Sequence, residues 1–329
     1  MTPQQPDVDS RTCAVAVVIP CHNEAITIAT VIADFRRALP DAHIHVIDNA
    51  STDDTAKVAS NAGAIVTHES RRGKGFAVIR GFSEVAYADF VVMVDGDDTY
   101  SPDSVRDLLR AAIDGADMVI ATRLQSSDAG AFPPAHSLGN RVFTFAVRVL
   151  FGVRTNDLFS GYRVMSRRFL DAAPLSAHGF EIETELSLQA LMAGFVVKEF
   201  PAPYRARPEH TASKLRTYHD GYRIAVALLA FFRDYRPLTF FSALSAWLLL
   251  LALWAGSYPV LEYFRTGLVL RLPLAVLAVG LVLLSAVSLI AGLILSSIRR
   301  RSMELAAMLV RRDFSIGSDG RTIRGRHVH

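Results

Sequence analysis

The sequence predicts an α/β chain: a mostly parallel sheet covered by helices on both faces, followed by an amphipathic interfacial helix and a two-helix transmembrane hairpin. Three observations carry this. Short runs of apolar, β-branched residues alternate with amphipathic stretches from residue 14 to about residue 200. Those runs are continuously apolar rather than alternating, as in strands buried on both faces. Two later stretches, 237–261 and 273–298, carry no charge and exceed the roughly 20 residues that span a bilayer core.

The elements follow in order. AVAVVIP (14–20) is the first strand, and Asn23 and Glu24 open an apolar-periodic helix to about Leu39. HIHVID (43–48) is the second strand. Ser51 or Thr52 caps a helix to about Asn61, with Asp53 and Asp54 in a first turn where the helix dipole favours carboxylates. AIVTH (64–68) is the third strand, with a helix from Lys74 to Ala86. FVVMVD (90–95) is the fourth, with a helix from Pro102 to Ala112, and DMVIAT (117–122) the fifth. Ligands of such sheets bind outside the carboxyl ends of the strands. Glu24, Asp48, Asp95, Asp97 and Arg123 fall there.

The chain divides into a polar N-terminal segment (1–13), an α/β domain (14–216), a juxtamembrane amphipathic helix (217–236), the hairpin (237–298) and a basic tail (299–329) whose end, from 313, reads as disordered. The N-terminal segment lacks a basic and an apolar region, so no cleaved signal peptide is expected. Arg233, Arg236, Arg299, Arg300 and Arg301 flank the hairpin. The positive-inside rule then puts the domain and the tail on the cytoplasmic side of the plasma membrane, among membrane lipids. The charges nearly cancel, 35 basic against 32 acidic, so net charge argues for no nucleic-acid partner. Cys13 and Cys21 give neither a disulfide framework nor metal-ligand spacing. Assembly as a homo-oligomer through the hairpin stays open.

VVMVDGDDTY (91–100) drives an apolar strand into Asp95, Asp97 and Asp98. Crowded carboxylates are costly unless a cation neutralises them. Hard oxygen ligands suit Mg²⁺ or Mn²⁺, which often take phosphate oxygens from a substrate as well. The bland alternative is a solvated acidic turn before the helix at Pro102.

VVIPCHNE (17–24), VIDNASTDDT (46–55), RRGKG (71–75) and VMVDGDDTY (92–100) resemble, in this order, the family 2 glycosyltransferases of the GT-A fold, a Rossmann-like, mostly parallel architecture. NDLFSGYRV (156–164), FEIETEL (180–186) and YRARPEHTASKL (204–215) resemble the branch of dolichol-phosphate mannosyltransferases and bacterial polyprenyl-phosphate glycosyltransferases. The resemblance spans residues 14 to 216. It implies that Pro20, Glu24 and Asp48 border the nucleoside, and that Asp97 binds the metal directly, with Asp95 binding it directly or through water and ribose. Gly96 separates the two carboxylates, and Lys74, between Gly73 and Gly75, would approach phosphate. Arg123 would face the donor diphosphate, Glu183 would bond sugar hydroxyls, and Asp157 would touch the sugar or orient the acceptor. Arg207 and Lys214, with Arg141 and Ser213, would grip the acceptor phosphate. A lipid phosphate is already anionic at pH 7, its second pKa being about 6, so Asp157 is assigned positioning rather than proton abstraction. Glu181, Glu183 and Glu185 cannot share one helix face, and Glu181 and Glu185 are expected on a solvated one.

The reaction implied is inverting, metal-dependent transfer of a hexose from a nucleotide-diphosphate sugar to polyprenyl phosphate, with UDP weakly favoured over GDP. A processive polysaccharide synthase is a poorer match, since the only tryptophans, Trp247 and Trp254, lie in the first apolar stretch. Transfer to a lipid or glycan hydroxyl, and a non-catalytic nucleotide-sugar-binding scaffold, are the remaining alternatives.

Overall fold

The protein is described by a computed structural model covering residues 13–123, 134–152, 155–205 and 217–317, the helical stretches 134–142, 217–224 and 302–317 by backbone alone. It divides into two units, Met1–Leu228 and Leu229–His329.

The first unit is built on a seven-stranded sheet of order β3-β2-β1-β4-β6-β5-β7. Strand β1 (Val15–Cys21) pairs in parallel with β2 (His43–Asn49) and β4 (Phe90–Met93), and β2 pairs in parallel with β3 (Ile65–Glu69). Strand β5 (Met118–Thr122) pairs in parallel with β7 (Val197–Pro201). Strand β6 (Arg163–Ser166) runs antiparallel between β4 and β5. Every residue of β1 is buried, as a central strand covered on both faces requires. Its alternate residues serve two cores. Val15, Val17, Ile19 and Cys21 pack with α1 (Ile28–Ala38), α2 (Thr55–Asn61) and α4 (Val105–Ile113). Ala16 and Val18 pack on the other face with α3 (Lys74–Glu84), α6 (Arg167–Ala172) and α7 (Ile182–Met192).

Three local expectations are corrected. Helix α1 begins at Ile28 rather than near Asn23. Asn23 has a left-handed backbone (φ 53°), and the Glu24 N–H donates to Thr55 Oγ1 at 2.8 Å, so this segment is drawn into a loop. Asp53 lies before α2, not in its first turn: it accepts hydrogen bonds from Ala25 N and Thr55 N, lacing the loops after β1 and β2 together. The expected helix at Pro102 opens with a short 3₁₀ turn (Pro102–Ser104), and α4 follows. Helix α5 (Pro134–Phe151) lies between β5 and β6 in the chain.

Helix α8 spans Thr217–Tyr235, within the stretch 217–236 where a helix is expected. In the second unit, α9 (Pro237–Thr266) and α10 (Leu272–Gly317) pack as a hairpin. Both contain stretches long and apolar enough to cross a membrane, Pro237–Thr266 and Leu272–Arg301. Ser285 Oγ donates to Ser245 O at 2.9 Å, a buried polar link between them. Helix α10 runs on to Gly317, so the first residues of the expected disordered end are helical instead.

Candidate active site

The parallel strands β1, β2, β4 and β5 end on one edge of the sheet, and the loops beyond them carry the polar residues. Pro20, the penultimate residue of β1, is buried, and Glu24, beyond the strand, is 8% exposed. Asp48 is the register partner of Cys21, at the end of β2. Its Oδ2 lies 3.0 Å from His68 Nδ1, and its Oδ1 is buried with no hydrogen-bond partner. Buried acceptors are rarely left unpaired, so this oxygen is open to a further donor, water or ligand.

Beyond β4, Asp95, Gly96 and Asp97 form the acidic turn. Thr27 Oγ1 donates to Gly96 O at 2.6 Å, and a Cβ on Gly96 would stand 2.6 Å from Cys21 Sγ, so the turn is pressed onto the end of β1. Asp97 is 5% exposed, and its Oδ1 accepts from Thr99 Oγ1 at 2.6 Å. A solvated acidic turn is therefore not what forms. Asp98 takes a left-handed backbone (φ 59°), with Arg205 Nη1 3.9 Å from its Oδ1.

Lys74 opens α3, and its Nζ lies 2.5 Å from Asp95 Oδ1 and 2.5 Å from Glu183 Oε1. Burial disfavours the ammonium, but the attraction of Asp95 and Glu183 outweighs it and the Lys74 pKa is raised. Burial pushes the Glu183 pKa up, with Lys74 partly opposing it, and Glu183 Oε2 is buried without a partner.

Beyond β5, Arg123 forms a two-pronged ion pair with Asp157: Nε to Oδ2 at 2.7 Å and Nη2 to Oδ1 at 2.7 Å. Asp157 is 1% exposed. Burial alone would lower the Arg123 pKa; the neighbouring Tyr100 and Asp157 raise it well above its ordinary value.

The predicted residues Asp95, Lys74 and Glu183 thus meet, as do Arg123 and Asp157. Arg207, Ser213 and Lys214 lie outside the described residues, and Arg141 lies in the part of α5 described by backbone alone.

A profile described as "Glycosyl transferase family 2" matches residues 16–173. Glycosyltransferase AglJ of Haloferax volcanii is 36% identical over 231 residues, 70% of this chain and 76% of that protein. The chain belongs to glycosyl transferase family 2. The dolichyl-phosphate hexose transferase of Haloferax volcanii is 30% identical, over 65% of this chain and 92% of that protein. The polyprenol monophosphomannose synthase of Mycolicibacterium smegmatis is 28% identical, over 58% and 77%. Glucosyl-3-phosphoglycerate synthase of Mycobacterium tuberculosis, solved with Mn²⁺ and UDP-glucose, superposes with a TM-score of 0.56 at 25% identity, over 68% and 79%. The chain is therefore a glycosyltransferase, with the GT-A type of sheet.

The acidic turn of this glycosyltransferase fits a divalent ion of one particular kind. Among the described residues no group of three or more His, Cys, Asp or Glu converges as a ligand set. The turn offers two hard carboxylates, Asp95 and Asp97, and the other positions of such an ion would fall to water and to phosphate oxygens. That is the donor set of Mg²⁺ or Mn²⁺ held jointly with a diphosphate.

Several members of the site escaped sequence reasoning. Glu185, expected on a solvated face, is 2% exposed and accepts from Ser176 Oγ at 2.8 Å and Ala177 N at 2.7 Å. Those hydroxyl and N–H donors belong to a loop that no helical pattern reveals. Glu181 stands at the α7 N-terminus and accepts from Gly179 N at 3.0 Å. Gly161 lets the Asp95 carboxylate pack against the backbone; a Cβ there would meet Asp95 Oδ2 at 2.2 Å. Arg163 is fully buried and donates to Ser160 O, Leu158 O and Ser187 Oγ at 2.8–2.9 Å, shaping the loop that carries Asp157. An arginine at the head of the short run RVMS was the available signal. Tyr100 is 4% exposed, and its Oη accepts from Gly161 N at 3.0 Å.

Proposed function

We propose that this chain transfers a hexose from a nucleoside diphosphate sugar to polyprenyl phosphate at the cytoplasmic face of a membrane, with inversion at the anomeric carbon. A phosphate oxygen of the acceptor attacks C1 of the sugar. The bond from C1 to the diphosphate breaks, and the nucleoside diphosphate leaves with the bonding electrons. UDP-sugars are weakly favoured over GDP-mannose.

The observation that carries the choice of acceptor is Asp157. Both of its oxygens are engaged by Arg123, and Phe159 N donates to one of them at 3.3 Å. A carboxylate so held is a poor general base, because losing the guanidinium contact would leave an uncompensated buried charge. A hydroxyl acceptor needs such a base; a phosphate monoester arrives ionised. The relatives named for dolichyl-phosphate and polyprenol acceptors support the same reading.

Asp48 and Glu24 would border the nucleoside, and Asp95 and Asp97 would hold Mg²⁺ or Mn²⁺. When bound, that ion would neutralise charge developing on the leaving diphosphate. Lys74 would offer an ammonium to the same oxygens, and Arg123 would add its positive field at the donor. Glu183 would accept from sugar hydroxyls. Arg141, Arg207, Ser213 and Lys214 would grip the acceptor phosphate. The hairpin would keep the enzyme in the membrane that holds its acceptor, a proximity contribution.

The test is a transfer assay on the full chain with Mn²⁺ or Mg²⁺ and radiolabelled UDP-glucose, UDP-N-acetylglucosamine and GDP-mannose. A short polyprenyl phosphate and the matching alcohol are offered side by side. A labelled phosphate-linked lipid, lost in Asp97→Ala, is expected. Label on the alcohol alone would overturn the phosphate reading, and nucleotide binding with no transfer would promote a non-catalytic scaffold.

A further inference from the structure

Lys74 is the group whose position is hardest to reconcile with a single fixed role. Its ammonium contacts Asp95 Oδ1 at 2.5 Å, while Oδ2 of the same carboxylate faces Gly161, where a Cβ would stand 2.2 Å away. The carboxylate proposed to meet a divalent ion therefore already has a cation on one oxygen and a backbone wall against the other. A divalent ion on either oxygen would lie within about 6 Å of the ammonium, a repulsion felt strongly in a water-poor site. One of the two cations must give way.

The surroundings determine how it can. A Cβ on Gly73 would stand 2.2 Å from His178 O, and one on Gly75 2.0 Å from Ala177 O. Gly75 N donates to His178 O at 3.0 Å, and Phe76 stacks on the His178 ring at 4.4 Å. Glu185 fixes the neighbouring Ser176 and Ala177 from beneath. The backbone on either side of Lys74 is clamped, so movement is confined to its side chain, a compact charge on a flexible four-carbon stem. Glu183 Oε1 remains as a second anchor at 2.5 Å when Asp95 is surrendered.

We propose that Lys74 is an exchangeable counter-ion: it neutralises Asp95 while the donor site is empty, yields that carboxylate to the divalent ion, and is compensated by the donor's diphosphate. The inference rests on the reading of Asp95 as a metal ligand. Its consequence is coupling. A metal ion arriving alone must strip Lys74 from Asp95 with nothing to replace the lost contact. A metal ion arriving with a diphosphate brings new anionic oxygens for the ammonium. Metal and nucleotide then bind as one unit, each strengthening the other by the same factor.

The test is Mn²⁺ affinity, read by the electron paramagnetic resonance signal of unbound Mn²⁺, with the full chain in detergent, without and with UDP. Lys74→Met removes the competitor, and Lys74→Arg keeps a cation in place. Without UDP, Lys74→Met is expected to bind Mn²⁺ about tenfold tighter than the original protein, the size of one charge-assisted hydrogen bond. The gain from adding UDP should shrink in the same variant. Lys74→Arg should show no tightening. Equal or weaker Mn²⁺ binding by Lys74→Met would overturn the proposal and make Lys74 a fixed support of Asp95. Should circular dichroism show Lys74→Met unfolded, the original protein and Lys74→Arg still decide: Mn²⁺ affinity unchanged by UDP, or tightened by arginine, overturns it. Failure of the original protein to bind Mn²⁺ with either UDP or GDP would instead sink the underlying donor-site reading.

Discussion

Gly161→Ala adds one methyl group at the floor of the acidic turn. Gly161 is not among the residues with positive φ, so alanine meets no backbone penalty there. The cost comes from contact. The new Cβ would stand 2.2 Å from Asp95 Oδ2, 2.6 Å from its Cγ and 2.7 Å from its Oδ1. Ordinary contact begins near 3.4 Å, so the carboxylate must retreat by about 1.2 Å. Asp95 has little slack, because its other oxygen holds Lys74 at 2.5 Å. A misplacement of about 1 Å in a positioning group costs on the order of 100-fold in rate, and overpacking of this size costs about 1–3 kcal/mol in stability. The assay is initial-rate transfer to polyprenyl phosphate alongside a thermal melt. Gly280→Ala, where a Cβ meets nothing within 4 Å, is the control. A folded Gly161→Ala protein that transfers sugar within threefold of the original rate would refute the placement of Asp95 at the reacting centre.

Other consequences are as direct. Arg123→Ala leaves the Asp157 carboxylate buried and unpaired, so a loss of about 3–5 kcal/mol is expected in urea unfolding. Asp157→Asn with unchanged stability would contradict the same ion pair. Glu185→Gln turns an amide donor toward the N–H groups of Ser176 and Ala177, which should cost about 1–3 kcal/mol and lower kcat through the loop beneath Lys74. Equal kcat in a folded Glu185→Gln protein would remove that loop from catalysis. Hydrogen bonds from the side chain and backbone of Arg71 hold the Glu69 carboxyl down to about 2. Because the folded pKa lies below the ordinary carboxylate value near 4.5, this contribution is present above that value and is lost as the pH falls toward 2. Arg71→Ala should therefore move the acid-unfolding midpoint to higher pH; an unchanged midpoint would show that the pair adds nothing to acid stability.

Sequence patterning located the central strands because their signal is local. VAVVIPC is apolar throughout and MVIAT up to its closing threonine, as burial on both faces demands. Strand β6 escaped because its four residues begin with a fully buried arginine, and strand β7 because its burial is only partial. A charged residue in the core is a tertiary arrangement that hydropathy cannot announce. The separation of Glu183 from Glu185 by face followed from helix geometry, yet both proved buried. Helix α7 is surrounded: one carboxylate meets Lys74, the other a loop from residues 176–177.

What the sequence determined by itself is the kind of molecule. Continuous apolar strands, an acidic turn at a strand end and two uncharged stretches of bilayer length follow from the residue order, since periodicity and charge spacing are properties of neighbours in the chain. What only the tertiary structure decided is which charges meet. Lys74, Asp95 and Glu183 come from three distant segments, Arg123 and Asp157 from two, and Gly161 closes against Asp95 from the approach to the neighbouring strand. Residue order cannot specify those pairings, because each buried charge is tolerated only where folding brings it a partner of opposite sign.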